Sequence, residues 1–178
     1  MRKLKNEELN RPTKEEYQAI KKNDVVLILD NIRSLNNVGS AFRTSDAFNV
    51  KKIYLCGITG QPPHRDINKT ALGATDTVEW HYAKTTLEAI EDLRKDDWTI
   101  LSVEQAENST MLNEFHPKEE GKYAFIFGNE VFGVEQQVVD ASDDCLEIPQ
   151  FGTKHSLNIS VTIGVVLWHY ISHITQRK

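Results

Sequence analysis

The 178-residue chain has only two cysteines, and none of its apolar runs approaches the roughly 18 residues that a membrane-spanning helix needs. It is therefore expected not to cross a membrane. Its N-terminus, Met1-Arg2-Lys3-Leu4-Lys5, is basic, but no apolar stretch or small-residue cleavage site follows, so it does not read as a secretory signal. Cys56 and Cys145 each lie inside an apolar, strand-like run. They are expected to be small buried hydrophobes in a reducing compartment, not a disulfide pair or a nucleophile, and a cytoplasmic location follows. Neither a G-x-G-x-x-G fingerprint nor a P-loop occurs, which disfavours a nicotinamide-dependent dehydrogenase. His169 and His173 are spaced i, i+4 but show no third ligand, so a core or subunit-interface role is expected for them and no metal. Internal repeats, low-complexity tracts and signs of a second folded domain are also missing.

With 39% hydrophobic and 26% charged residues, the composition is that of one globular domain with a sizeable core. The net charge of −5 argues mildly against a nucleic-acid partner. Its distribution softens the objection. Residues 1–89 carry 14 Lys/Arg against 11 Asp/Glu, whereas residues 90–178 carry 7 against 15. The N-terminal half can thus build a local basic face, and a homodimer would present it twice.

Residues 1–23 read as a short basic extension. Thr13-Lys14-Glu15-Glu16 has the form of a capping box and predicts a helix to about Lys22. The basic residues Arg2, Lys3, Lys5, Arg11, Lys14, Lys21 and Lys22 suit a small RNA grip, and the interspersed glutamates suit an ordinary solvated helix. Residues 24–178 form the main domain. Val25–Leu29 is a continuous apolar run, the mark of a strand buried on both faces. Further strands are expected at 53–57, 78–82, 98–103, 123–127 and 145–148. Helices are expected at 38–48, before Gly73, at 86–95, at 135–141 and at 157–174. The last is apolar nearly all round and is expected to be buried. Strands alternating with helices imply an α/β domain with a mostly parallel sheet flanked by helices.

Ligands of such sheets bind at the carboxyl ends of the strands, and three loops there carry unusual residues. In Asn36-Asn37-Val38-Gly39-Ser40-Ala41-Phe42-Arg43, Asn37 is a good N-cap and Gly39 allows another backbone to approach closely. Physics alone also admits a capped helix with a solvated arginine. Gly128-Asn129-Glu130-Val131-Phe132-Gly133 follows a buried strand and suits either an adenosine cradle or an ordinary turn. Ile148-Pro149-Gln150-Phe151-Gly152-Thr153-Lys154-His155-Ser156-Leu157-Asn158-Ile159-Ser160 leads into the last helix, with Ser156 as the expected N-cap. Asn158 and Ser160 are polar residues at the start of an apolar helix and need hydrogen-bond partners if buried.

Taken together, the three loops resemble the signature of the SpoU, or TrmH, branch of the SPOUT methyltransferases. Asn37, Gly39 and Arg43 match an Asn-x-Gly-x-x-x-Arg motif. Gly128, Glu130 and Gly133 match Gly-x-Glu-x-x-Gly. Ile148, Pro149, Gly152, Ser156, Leu157, Asn158 and Ser160 match the third motif. All three occur in order, each at the expected end of a strand, and the resemblance covers residues 24–175.

The resemblance implies a C-terminal trefoil knot, S-adenosylmethionine as methyl donor, and a homodimer whose active site uses both subunits. It implies methylation of a ribose 2′-hydroxyl in RNA, with tRNA favoured over rRNA because the chain has no separate RNA-binding domain. A base-methylating SPOUT enzyme and a knotted dimer that binds without turnover are the alternatives. Carried over, Gly128, Glu130, Gly133, Ile148 and Leu157 would form the cofactor pocket, with Leu101 and Glu104 on its other wall. Arg43, Asn37, Ser156 and Asn158 would serve catalysis, and Arg33, His64 and Arg65 would contact RNA. Glu130 has an equal reading as a structural anchor, and His64 and Arg65 as part of a solvated loop. The leaving thioether is neutral, so no metal is needed. The hydroxyl must be stabilised as it becomes alkoxide-like. Arginine is a poor base at neutral pH, which points to Arg43 as a fixed positive charge.

Overall fold

In the computed structural model, which describes residues 1–175, the strand β1 (Asn23–Asp30) occupies the middle of the sheet. Val25, Val26, Leu27, Ile28 and Leu29 are at most 1% exposed, as a strand covered on both faces requires. Around it lie β2 (Val50–Cys56), β3 (Glu79–Ala83), β4 (Thr99–Val103), β5 (Thr110–Met111), β6 (Tyr123–Phe127) and β7 (Asp144–Glu147). They form one seven-stranded sheet in the order β3-β2-β1-β6-β4-β7-β5, and every pairing is parallel. The two-residue β5 was too short and too polar to be expected from the sequence.

Helices cover both faces. The larger core packs α2 (Leu35–Ala47), α3 (Arg65–Ala71) and α6 (Ile159–Thr175) against one side, around Phe42, Ile67, Phe125 and Ile163. The smaller core packs α4 (Thr86–Arg94) and α5 (Gln136–Asp140) against the other, around Ile28, Ile90, Leu93 and Val138. Cys56 and Cys145 are free and buried, and burial pushes their thiols up to about 12 and about 11. Unreactive core thiols result.

Local signals account for several boundaries. The capping box at Thr13 forms as expected, a second forms at Thr85, and Asn49 takes a left-handed conformation (φ 52°) just beyond α2. The helix α1 (Lys14–Ala19) is shorter than predicted. It docks through buried Tyr17, whose hydroxyl donates to the Asp46 carbonyl at 3.0 Å. Of the basic residues in this segment, Arg2 pairs with Glu8, Lys14 with Asp76, and Lys22 donates to the Tyr17 carbonyl.

Three expectations are corrected. Helix α2 starts at Leu35, and its N-cap is Ser34, whose hydroxyl accepts from the Asn37 N–H at 3.3 Å. Asn37 is thus inside the first turn, and its amide is released for a longer-range bond. Helix α6 starts at Ile159 rather than near Leu157, and Asn158, not Ser156, holds its first turn. The Asn158 side-chain oxygen accepts from the Ser160 N–H at 2.9 Å and from the Ser160 hydroxyl at 2.6 Å. Finally, α6 is not buried all round: Val161, Val165 and Trp168 are exposed along one face. No helix among the described residues is long and apolar enough to cross a membrane.

Candidate functional site

Strand order reverses direction between β1 and β6, so the loops leaving their carboxyl ends diverge and open a crevice. Beside it, over the ends of β4, β6 and β7, lies a cleft of about 1060 Å³. Glu104–Glu107 line one wall, Gly128–Val134 a second, and Ile148, Gln150 and His155–Ile159 a third. The first and third walls are tied by Gln105, whose side-chain amide donates to the His155 carbonyl at 2.6 Å. The lining carboxylates are Glu104, Glu107, Glu130 and Asp140, while His155 is the single lining side chain among them able to become a cation. Such a lining favours a cationic ligand. Glu107 accepts no hydrogen bond and forms no ion pair among the described residues.

Glycine makes the second wall possible. A Cβ on Gly128 would sit 2.1 Å from the Gly133 carbonyl carbon and 2.1 Å from the Val134 nitrogen. Gly133 has φ +70°, and a Cβ there would meet the Glu104 carboxylate at 2.2 Å. Asn129 and Gly133 exchange two backbone hydrogen bonds of 2.9 Å, closing the loop on itself. Glu104 buttresses it from β4 by accepting from the Val134 N–H at 3.0 Å and the Gln105 N–H at 2.8 Å.

Glu130 then joins this wall to the N-terminus of α2. Its carboxylate accepts from the Arg33 N–H at 2.9 Å, the Ser34 N–H at 3.0 Å and the Asn37 side-chain amide at 3.0 Å. Partial burial alone raises the Glu130 carboxyl, but the donors at Arg33, Asn37 and Ser34 outweigh it and hold the group below the usual glutamate range. The neighbouring Asn129 amide donates to the Asn31 carbonyl at 2.7 Å. Beneath them Asp30, 1% exposed, is pushed up by burial against the Thr86 hydroxyl, the Glu135 N–H and the Asn31 amide. Of the two readings left open for Glu130, the observed bonds are those of an anchor, although its residue also lines the cleft.

The other residues singled out in the sequence fall into three groups. Glu104, Gly128, Gly133, Ile148, Ser156, Leu157 and Asn158 line the cleft. Leu101 does not: it is 2% exposed inside β4, between β6 and β7, and belongs to the core. Arg33, Asn37, Arg43, His64 and Arg65 lie outside the cleft on and around α2 and α3. Arg43 is exposed and makes no hydrogen bond or ion pair among the described residues. His64 caps α3, accepting from the Asp66 N–H at 3.1 Å, next to exposed Arg65. Helices α2 and α3 approach closely because Gly39 lacks a side chain: a Cβ there would be 2.2 Å from the Ile67 carbonyl oxygen. The third histidine missed near His169 and His173 is His116, whose Nδ1 lies 3.3 Å from the His173 Nε2. No cluster of three metal-ligating side chains able to hold an ion occurs among the described residues.

The sequence model of the SpoU rRNA methylase family matches residues 24–168, a span containing all of the sheet but its first residue and all three walls of the cleft. The chain belongs to the SpoU family. Relatives in the family include the 23S rRNA (guanosine-2′-O-)-methyltransferase RlmB of Neisseria meningitidis, 28% identical over 80% of this chain and 56% of the relative. The tRNA (guanosine(18)-2′-O)-methyltransferase of Thermus thermophilus is 27% identical over 86% of this chain and 77% of its own length. The chain thus spans little more than half of the Neisseria protein. The SpoU fold is seen again in the A. aeolicus TrmH/SpoU tRNA modifying enzyme, with a TM-score of 0.80 at 21% identity over 90% of this chain and 81% of that one. An S-adenosylmethionine-bound rRNA methyltransferase from Sinorhizobium meliloti superposes with a TM-score of 0.79 at 23% identity, over 89% and 60%.

Proposed function

We propose that this protein methylates a ribose 2′-hydroxyl in RNA, with S-adenosylmethionine as donor and a homodimer as the working form. The observation that carries the reading is the convergence of loops 104–107, 128–134 and 148–159 on one acidic cleft in a chain of the SpoU family. The curated relatives are named for guanosine 2′-O-methylation of 23S rRNA or tRNA, which favours ribose over base and leaves both RNA classes as substrates to test. Location in the cytoplasm, where both RNA classes are met, accords with this function.

The cleft fits the donor. S-adenosylmethionine carries a sulfonium and an ammonium, and Glu107, which has no partner among the described residues, lines the cleft with Glu104 and Asp140 and supplies complementary charge. Gly128, Ile148 and Leu157 would hold it, and bound there it supplies an electrophilic methyl group. The chain's own residues do the rest. Arg43, without a hydrogen bond or ion pair among the described residues and carried by α2, holds a positive charge where the hydroxyl gains negative charge and grips the adjoining phosphate. Glu130 and Asn37 fix the helix that carries Arg43 relative to the cleft. Arg33, His64 and Arg65 extend the same exposed face for RNA.

Arg43 lies outside the cleft of its own protomer, and the exposed face of α6 supports the reading that a second copy completes the site. Val161, Val165 and Trp168 form an apolar strip, and a Cβ on Gly164 between them would meet nothing within 4 Å. A helical glycine facing open space costs roughly 1 kcal/mol unless another surface packs there. Pairing this strip with its copy offsets that cost, and Arg43 of the partner subunit then serves the cleft. A trefoil knot at the C-terminus belongs to the same reading and is supported by the way loop 148–158 returns against loops 104–107 and 128–134. Calorimetric titration of S-adenosylmethionine tests the reading. Stoichiometric binding that Gly128→Ala abolishes is expected, and no heat from the wild-type protein would overturn it.

A further inference from the structure

The loop between β7 and α6 carries a feature that neither the cleft nor the α6 strip uses. Phe151 is 97% exposed, the most exposed aromatic among the described residues, and makes no ring contact there. It is preceded by Gln150 and followed at His155 by residues that line the cleft, so the ring stands at the rim, not on a remote surface. A solvated phenylalanine forgoes about 1.5–3 kcal/mol of burial, and nothing in the isolated protomer recovers it.

Charge indicates what covers the ring. In a chain of net charge −5, the stretch Pro149–Ser156 holds no acidic residue and contains Lys154 and His155. Lys154 forms neither an ion pair nor a hydrogen bond among the described residues, whereas six other lysines and arginines, Arg2, Lys14, Lys51, Lys69, Arg94 and Lys95, are paired with carboxylates. A Cβ on Gly152, between the ring and the lysine, would meet nothing within 4 Å, and this glycine has no positive φ that would demand the residue. The loop therefore presents an aromatic face and a free cation separated by an unobstructed backbone. That combination matches a nucleobase beside its phosphate: stacking on an aromatic side chain is sequence-tolerant, and the cation answers the backbone charge. A second exposed ring, Phe132 at 83%, lies in the second wall of the same cleft.

We infer that Phe151 is a base-stacking residue of the RNA site, with Lys154 holding a neighbouring phosphate. The inference rests on the function proposed above and adds a residue that positions substrate. A second copy of the chain is the competing cover for Phe151, but a protein interface does not call for the unpaired lysine beside it.

The test compares wild type, Phe151→Ala, Phe151→Trp and Lys154→Ala, using unmodified tRNA and 23S rRNA transcripts. Binding is read by filter retention, cofactor affinity by calorimetry, and mass by sedimentation. Loss of one stacked base weakens RNA binding by about 5- to 150-fold. Phe151→Ala is expected to weaken RNA binding within that range while dimer mass and cofactor affinity hold, and Phe151→Trp is expected to restore it. Lys154→Ala is expected to flatten the dependence of binding on salt. Unchanged RNA affinity in Phe151→Ala overturns the inference and leaves the proposed function standing. A shift of Phe151→Ala to monomer also overturns it, making the ring a subunit contact. A wild-type protein that binds neither cofactor nor RNA overturns the proposed function and this inference together.

Discussion

Replacing Glu130 removes the side chain that, among the described residues, bonds the second wall of the cleft to both the Arg33–Ser34 backbone and Asn37, and its cost can be worked out from three bonds. The carboxylate accepts at 2.9, 3.0 and 3.0 Å. A hydrogen bond to a charged group contributes about 1.5–3 kcal/mol when shielded. This side chain is largely solvated, so screening reduces each bond to about 1 kcal/mol. Glu130→Ala should then weaken docking of the loop to α2 by about 3 kcal/mol, or about 100-fold. Glu130→Gln keeps one acceptor oxygen but turns an amide group toward an N–H, and should lose about 1–2 kcal/mol. Amide hydrogen exchange reads this directly. Protection of the Arg33 and Ser34 amides should fall by about 100-fold in Glu130→Ala, while the core amides of β1 stay protected. Because the native carboxyl lies below its ordinary value, its contribution is complete above the unfolded value of about 4.3 and is lost as pH falls through the native one. Glu130→Gln should therefore flatten the loss of stability on acidification below about pH 4.3. Unaltered exchange at Arg33 and Ser34 in Glu130→Ala would refute the anchoring role.

Other outcomes follow from single contacts. Arg43→Lys should lose most methyl transfer with cofactor affinity intact, since the planar fork cannot be replaced by a point charge; near-normal turnover contradicts this. Gly39→Ala places a Cβ 2.1 Å from the Thr70 hydroxyl and 2.2 Å from the Ile67 carbonyl, and should cost about 1–3 kcal/mol in urea denaturation by separating α2 from α3. An unchanged midpoint would mean that the helices yield. Trp168→Glu puts a charge into the exposed α6 strip, so the proposed dimer should sediment as a monomer, with melting of the monomer little altered; a persistent dimer places the interface elsewhere.

Much of this architecture is legible in the residues. The continuous apolar run at Val25–Leu29 announces a strand covered on both faces, and the capping boxes at Thr13 and Thr85 mark helix starts because their bonds span three residues. What the sequence leaves open is decided over longer distances. Ser34, Asn36 and Asn37 are all competent N-caps, and local chemistry does not choose among them. The choice falls to Ser34 when Glu130, more than 90 residues later, captures the Asn37 amide. Ser156 and Asn158 pose the same ambiguity at α6. The apolar circumference of α6 reads as burial because an exposed apolar face has the same composition as a core. Leu101 was expected at the cofactor wall, but the parallel pairing of β4 between β6 and β7 turns it into the core. His116 joins His169 and His173 only through the packing of the segment after β5, which no spacing rule reveals.

Ribose methylation leaves a chemical mark that a single assay reads. Labelled S-adenosylmethionine is incubated with the protein and unmodified tRNA or 23S rRNA transcripts, and the product RNA is hydrolysed with alkali. A methylated 2′-hydroxyl cannot attack its phosphate, so label is expected in an alkali-resistant dinucleotide and is expected to be absent with Arg43→Ala. Label released entirely in mononucleotides would instead show base methylation and contradict the account.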